Sequence, residues 1–361
     1  CYNTIYKSHD LNQFWNRQTQ VRPHHPSLGM EIVEKLQDKR NQSESGFDAT
    51  IRQIEAQEDD LVRYISFVKS LKMESVKPED TVFCGAGDSF ACAKFAERLM
   101  NFKPRAFDPY DVVLYPEVVR DKKVFFISVS GRTKSNILAA KAAKRRGARE
   151  VIAITANPES ELARSCSETI ELRFSKSHGL TPGTNSFTTA LIACGMLFKN
   201  PPKLDVKEML ESAKAWALEV TNSPSAAYHF VGSGSFYAVA IYGAAKIFEF
   251  AGGVADYQLT EEFSHLNLFS LQKGKTDQVV ILRFGANDER AVSLDAYLTA
   301  NRIKSVFVPI RAEKEHVLQR AVSYSIAIQC LALNVARSRG LQGPAFLLDQ
   351  ERLQISSKMI Y

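Results

Sequence analysis

Two stretches of this chain carry the same pattern: VFCGAGDSFACA at Val82–Ala93 lies over HFVGSGSFYAVA at His229–Ala240, an offset of 147 residues. Later apolar runs align too, Val124 with Val279 and Val151 with Val306, at an offset of 155 residues. An internal duplication accounts for this better than chance, and it requires a fold whose unit occurs twice. Each copy opens on a β-rich run, a Gly-x-Gly and a helical segment.

From Thr81 onward short β-rich runs alternate with helical segments. TVFCG precedes Ser89–Met100, VFFISV precedes Lys134–Gly147, and EVIAIT precedes a polar segment from Asn157. The second pass runs YHFVG with Phe236–Phe250, QVVILRF with Asp288–Asn301, and SVFVPI with a helical end over Val317–Arg337. Such alternation predicts parallel sheets flanked by helices, an α/β fold of two tandem, doubly wound αβα domains. Before them, Phe47, Ile51, Ile54, Leu61, Ile65, Val68 and Leu71 recur at helical spacing and predict one long amphipathic helix over Phe47–Met73. The stretch around His24, His25 and Pro26 reads as an irregular lead-in. The expected organisation is a helical arm over residues 1–75, a first domain over 76–220, a second over 221–345 and a C-terminal tail over 346–361. The joint between the halves is read as a turn at Lys199–Asp205, a helix from Val206 to about Val220, and Asn222–Pro224.

A length of 361 residues with 45% hydrophobic and 24% charged residues suits two soluble globular cores. No apolar run approaches the roughly 18 residues of a membrane span, and no signal-peptide pattern is visible, so no membrane partner and a cytoplasmic location are expected. The six cysteines, at positions 1, 84, 92, 166, 194 and 330, form no CxxC pair and no zinc-like cluster with histidine, so neither metal nor disulfide is expected. The formal charge of +6 is spread along the chain, which fits small phosphates better than nucleic acid.

The Gly-x-Gly loops place backbone close to a ligand at a helix start, a weak signal by itself. Phe90 and Tyr237 stand where a third glycine would be needed, against a nicotinamide dehydrogenase. More specific is Ser128, Val129, Ser130, Gly131, Arg132, Thr133, Lys134, Ser135, a hydroxyl-rich loop entering a helix. Hydroxyls and unpaired N–H groups converging there suit a phosphate monoester, whereas simple N-capping needs only one hydroxyl. The matching loop of the second half, Arg283-Phe284-Gly285-Ala286, has lost the hydroxyls. Lys246 and Glu249, at i and i+3, share a helix face; alone they fit a surface ion pair as well as a functional pair.

The CGAGDS and SVSGRT loops, the GTNSFTT helix start and the duplication together resemble sugar isomerase (SIS) domain proteins, in particular the isomerase half of glucosamine-6-phosphate synthase and related deaminases. The likeness runs from about Thr81 to the C-terminus. It implies that the sugar phosphate sits on Ser128, Val129, Ser130 and Thr133, that the loop Cys84, Gly85, Ala86, Gly87 lines the sugar, and that Thr184 joins them. In GAAKIFEFAGGVADYQLTEEFSH, the family's Lys-x-x-Glu and the histidine sixteen residues on fall on Lys246, Glu249 and His265. The resemblance implies that Glu249 moves a proton between C1 and C2 and that His265, supplied by the other subunit of a homodimer, assists ring opening. The tail closes over the site. Its family lysine aligns with Ser356, and Lys358, two residues on, is the candidate substitute. Asp88, at a position often Ser or Thr, caps its helix or meets a sugar amino group, and Arg132 replaces a common glutamate. Cys1 reads as an ordinary terminal residue, since YNTIYKSHD has nothing of an amidotransferase. The implied activity is conversion of glucosamine 6-phosphate to fructose 6-phosphate and ammonia, without a cofactor. A plain aldose–ketose phosphosugar isomerase and a sugar-phosphate sensor without catalysis are the alternatives.

Overall fold

The structure, a computed structural model, describes residues 46–71, 76–177, 179–198, 203–221, 227–271, 276–310 and 315–361, within a compact unit that spans residues 44–361. Cys1, the lead-in around His24–Pro26, the start of the turn at Lys199–Pro202 and the Asn222–Pro224 segment lie outside the described residues.

The amphipathic pattern from Phe47 folds as α1 (Asp48–Glu55) and α2 (Gln57–Ser70), joined through Ala56 in right-handed helical geometry. Ile54, Leu61, Tyr64, Ile65 and Val68 are buried, and so are Gln53, Gln57 and Asp60 on the same face.

Next come β1 (Thr81–Gly85), α3 (Asp88–Leu99), β2 (Arg105–Phe107), α4 (Pro109–Leu114), β3 (Lys123–Ile127), α5 (Lys134–Arg145), β4 (Glu150–Thr155), α6 (Glu161–Ser165) and β5 (Glu168–Glu171). Their strands form a parallel sheet in the order β2-β1-β3-β4-β5. Helices α7 (Asn185–Met196) and α8 (Val206–Thr221) lead into the second half. There β6 (Ala227–Gly232), α9 (Phe236–Ala251), β7 (Val254–Gln258), α10 (Thr260–His265), β8 (Gln278–Leu282), α11 (Glu289–Ala300) and β9 (Lys304–Phe307) follow. Their parallel sheet has the order β7-β6-β8-β9, the same order with one strand fewer. Helices α12 (Val317–Ser338), α13 (Ala345–Leu348) and α14 (Gln350–Ile360) complete the described chain.

The central strands are mostly apolar because both faces are covered, as parallel sheets require. Phe83, Phe125, Ile127, Ile152 and Ile154 face the main core, while Val82, Cys84, Val124, Phe126, Val151 and Ala153 point to a second cluster on the outer face. The second sheet divides likewise, Phe230, Val280 and Leu282 inward and Val231, Val279 and Ile281 outward. The main core lies between the sheets and takes side chains from α1, α2, α3, α7, α8, α9 and α12. One continuous core therefore crosses the expected boundary between the halves. Among the described residues no helix is long and apolar enough to cross a membrane.

Candidate functional site

In each sheet the strand order reverses beside the first strand, at β1/β3 and at β6/β8. A crevice opens there at the carboxyl ends, because the chain leaves neighbouring strands in opposite directions. Gly85 pairs with Ile127, so the loops after β1 and β3 spring from adjacent strand ends about 5 Å apart. Both sequence-predicted loops thus meet at one crevice.

The loop after β3 is tightly curled. Ser128 Oγ lies 3.2 Å from Thr133 Oγ1 and accepts from the Gly131 N–H at 3.2 Å, while Ser130 Oγ accepts from the Arg132 N–H at 3.3 Å. Gly131 has φ +64°, and a Cβ there would stand 2.1 Å from Ser160 Oγ, so only glycine fits the curl. Thr133 occupies the N-cap position of α5 without capping it, so the hydroxyl cluster is not explained by helix capping. Arg132 and Lys134 bring positive charge, and both touch the tail: Lys134 Nζ donates to the Lys358 carbonyl at 3.0 Å, and the Arg132 guanidinium lies 5.1 Å from the Tyr361 ring centre. The tail reaches this loop through the backbone of Lys358, whose residue is exposed.

In the loop after β1, Gly87 has φ +57°, and a Cβ at Gly85 would stand 2.7 Å from the Ser89 backbone. The Cys84 side chain is fully buried in the outer cluster, and burial pushes its thiol well up. Only the backbone of Cys84 can serve a ligand; Ala86 and Gly87 are the accessible members of this loop.

Across the crevice, Lys246 of α9 is fully buried with its Nζ 2.8 Å from Asp88 Oδ2 and 2.5 Å from Glu249 Oε2. Burial alone would lower the Lys246 pKa, but Asp88 and Glu249 outweigh it and hold the value above the ordinary one. An ammonium so held is a poor nucleophile. The Glu249 side chain keeps 33% exposure and opens outward. Burial pushes its carboxyl up against the pull of Lys246, and Asp88 adds to the rise. A surface ion pair is thereby excluded.

The backbone at 182–184 completes the cluster. The Gly183 N–H donates to Glu249, its carbonyl accepts from Tyr242 Oη at 2.7 Å, and a Cβ on Gly183 would stand 2.1 Å from Asp88 Oδ2. Thr184, at the start of α7, has its Oγ1 buried and unpartnered, as is Asp88 Oδ1. Asp60 of α2 holds both ends of the stretch 175–185: it accepts from Ser175 N at 2.7 Å, Ser175 Oγ at 3.0 Å and Asn185 Nδ2 at 2.6 Å. Burial raises the Asp60 pKa, but these bonds and Arg63 bring it below the ordinary value. Sequence reasoning missed Asp60. The signal was there, since Gln53, Gln57 and Asp60 stand on the buried face of an amphipathic helix, where polar residues require partners.

His265 stands apart. At the end of α10 its side chain is 69% exposed, and its Nε2 lies 3.1 Å from Glu261 rather than at the Lys246–Glu249 pair of its own chain.

Among the described residues no group of three or more His, Cys, Asp or Glu is placed to hold a metal. The model of the SIS domain matches residues 76–200. Residues 76–200 belong to the SIS domain family. This SIS domain contains the loops after β1 and β3, Asp88 and Thr184, whereas Lys246, Glu249 and His265 lie beyond the match. No curated protein matches the chain in sequence. The SIS fold itself extends over most of the chain. Glucosamine-6-phosphate deaminase from Thermotoga maritima aligns over 82% of this chain and 96% of its own, at 20% identity and a TM-score of 0.69. The C-terminal domain of glucosamine-fructose-6-phosphate aminotransferase from Francisella tularensis aligns over 82% and 98%, at 17% identity and a TM-score of 0.67. Tagatose-6-phosphate ketose/aldose isomerase from Escherichia coli aligns over 81% and 94%, at 17% identity and a TM-score of 0.64.

Proposed function

We propose that the chain is an amino-sugar phosphate deaminase/isomerase that converts glucosamine 6-phosphate to fructose 6-phosphate and ammonia. The observation that carries the proton-shuttle part of this reading is Glu249: a carboxylate 2.5 Å from a fully buried ammonium, its side chain 33% exposed and its pKa raised by burial. A shuttling base needs those properties, and a passive binding site does not. The phosphate sits on Ser128–Thr133, with the backbone of Cys84–Gly87 and Thr184 along the sugar. Glu249 takes the C2 proton of the opened aldose and returns it at C1. The C1–C2 enolamine becomes a C2 imine, which water hydrolyses to the ketose and ammonia.

Ring opening is assigned to His265 of a second copy. Its exposure in the single chain supports this, as do Val254, Tyr257, Leu266 and Phe269, large apolar side chains 39–87% exposed beside it in sequence. Lys358 is assigned the part of the family's C-terminal lysine towards the open-chain sugar, and its backbone carbonyl accepts from Lys134 beside the loop after β3.

Ammonia and ketose formation from a panel of hexosamine and hexose 6-phosphates tests the proposal. Equal yields of ammonia and ketose from a hexosamine phosphate are expected. Ketose from hexose phosphates with no ammonia from any hexosamine would make the protein a plain isomerase, the chemistry named for the E. coli relative. Binding of these phosphates without turnover would make it a sensor. The phosphate assignment has its own check: Ser130→Ala and Thr133→Ala should each weaken sugar-phosphate binding by roughly 1.5–3 kcal/mol, the worth of a hydrogen bond to a charged group. Calorimetry reads this directly, and unchanged affinity would move the phosphate elsewhere.

A further inference from the structure

Asp88 has no assigned role in the proton transfer, yet it touches the group that controls Glu249. It is the first residue of α3, where the helix dipole favours a negative charge. Its Oδ2 reaches across from the first half to Lys246 of the second at 2.8 Å, and Gly183 is packed against it so closely that no side chain fits between. Lys246 has no solvent exposure, so its charge is divided between two carboxylates instead of being shared with water. Alone with Lys246, Glu249 would be a tightly paired, weakly basic carboxylate. With Asp88 present the cluster carries one negative charge in excess, which works against ionisation of Glu249.

We infer that Asp88 is a positioning residue that, through Lys246, keeps Glu249 basic enough to take a carbon-bound proton. This rests on reading Glu249 as the shuttle. Burial and Asp88 both push the Glu249 carboxyl up, in agreement with the geometry. The other charges on elements packed against α9 are engaged elsewhere. On α3, Lys94 pairs with Glu97 at 3.0 Å and Arg98 reaches the Gly234 carbonyl. On β6 and β7, His229 and Asp256 bond each other at 2.9 Å. On α12, Arg320 pairs with Glu315, Arg337 lies over the Phe47 ring, and just beyond that helix Arg339 reaches the Ala251 carbonyl.

The test is a carboxyl-carbon NMR titration of protein labelled at glutamate, with Glu249→Gln assigning the resonance. In Asp88→Asn and in Asp88→Ser the Glu249 midpoint should fall by about one pH unit, and Asp88→Glu should bring it back towards wild type. The acidic limb of the pH–rate profile should move down with it. A midpoint that stays or rises in a variant with wild-type circular dichroism overturns the inference. Two substitutions of different size guard against one that does not fold. If wild type turns over no sugar phosphate, the proposed function fails, while the NMR midpoint still decides the role of Asp88.

Discussion

Glu249→Gln is expected to lower turnover by about 10²- to 10⁴-fold while sugar-phosphate affinity is retained, because the amide keeps the shape of the side chain and loses only the base. The proposed phosphate loop, Ser128–Thr133, springs from another strand end and is untouched. Solvent deuterium entering C1 of the product, followed with ligand affinity in wild type and variant, separates the two effects. Loss of binding in parallel with turnover would mean that Glu249 holds the substrate instead of deprotonating it. The wild-type rate should fall with pH through the midpoint of Glu249, and that midpoint lies above its ordinary value of 4.5. The same variant tests the assembly. Mixed with His265→Ala, it should recover part of the activity, since some hybrid sites combine an intact Glu249 with the partner's intact histidine. No recovery after demonstrated subunit exchange would place His265 in the site of its own subunit.

Lys246→Met is expected to cost about 3 kcal/mol of stability or more, the effect of leaving buried charge without its partner. The methionine fills the space of the stem, so the loss is electrostatic. Its pH dependence has a definite sign. Without the ammonium, which alone among the neighbouring charges pulls it down, the folded-state pKa of Glu249 rises further above its unfolded value, so the variant should lose stability as pH climbs from about 4 and recover it in acid. In wild type, Lys246 has a folded pKa above its ordinary 10.5; its contribution is complete below that value and is lost as pH rises through the folded one. Urea melts of wild type, Lys246→Met and a variant that also carries Asp88→Asn and Glu249→Gln should show the triple substitution restoring most of the loss. A single variant as stable as wild type at pH 8 would show that the cluster is not shielded from water.

The features legible in the sequence were those set by short-range pattern. The duplication foretold two similar parallel-sheet halves, and the apolar runs marked the central strands β1, β3, β4, β6 and β8, which are covered on both faces and cannot alternate, as well as the half-buried edge strand β9. The strands that went unread, β2, β5 and β7, are edges; β2 has three residues and β5 and β7 are half exposed, so neither length nor hydrophobicity distinguishes them. The crowded loops were also readable, since Gly131 and Ser128–Thr133 obey local backbone sterics and hydrogen bonding. What tertiary structure alone decided was the company each group keeps. Lys246 and Glu249 on one helix face fit equally a solvated ion pair or a buried device, and the choice was made by Asp88, 158 positions from Lys246 in the chain. Asp60 holds Ser175 and Asn185 from 115 and 125 positions away, and Lys134 meets the tail at a separation of 224. Helix and strand periods repeat within a few residues and determine which face of an element is buried, but which partner lies against that face depends on how the elements cross. Burial and opposite charge act through space, so the pKa of Glu249, and with it the chemistry open to this crevice, exists only once the two halves have folded onto one core.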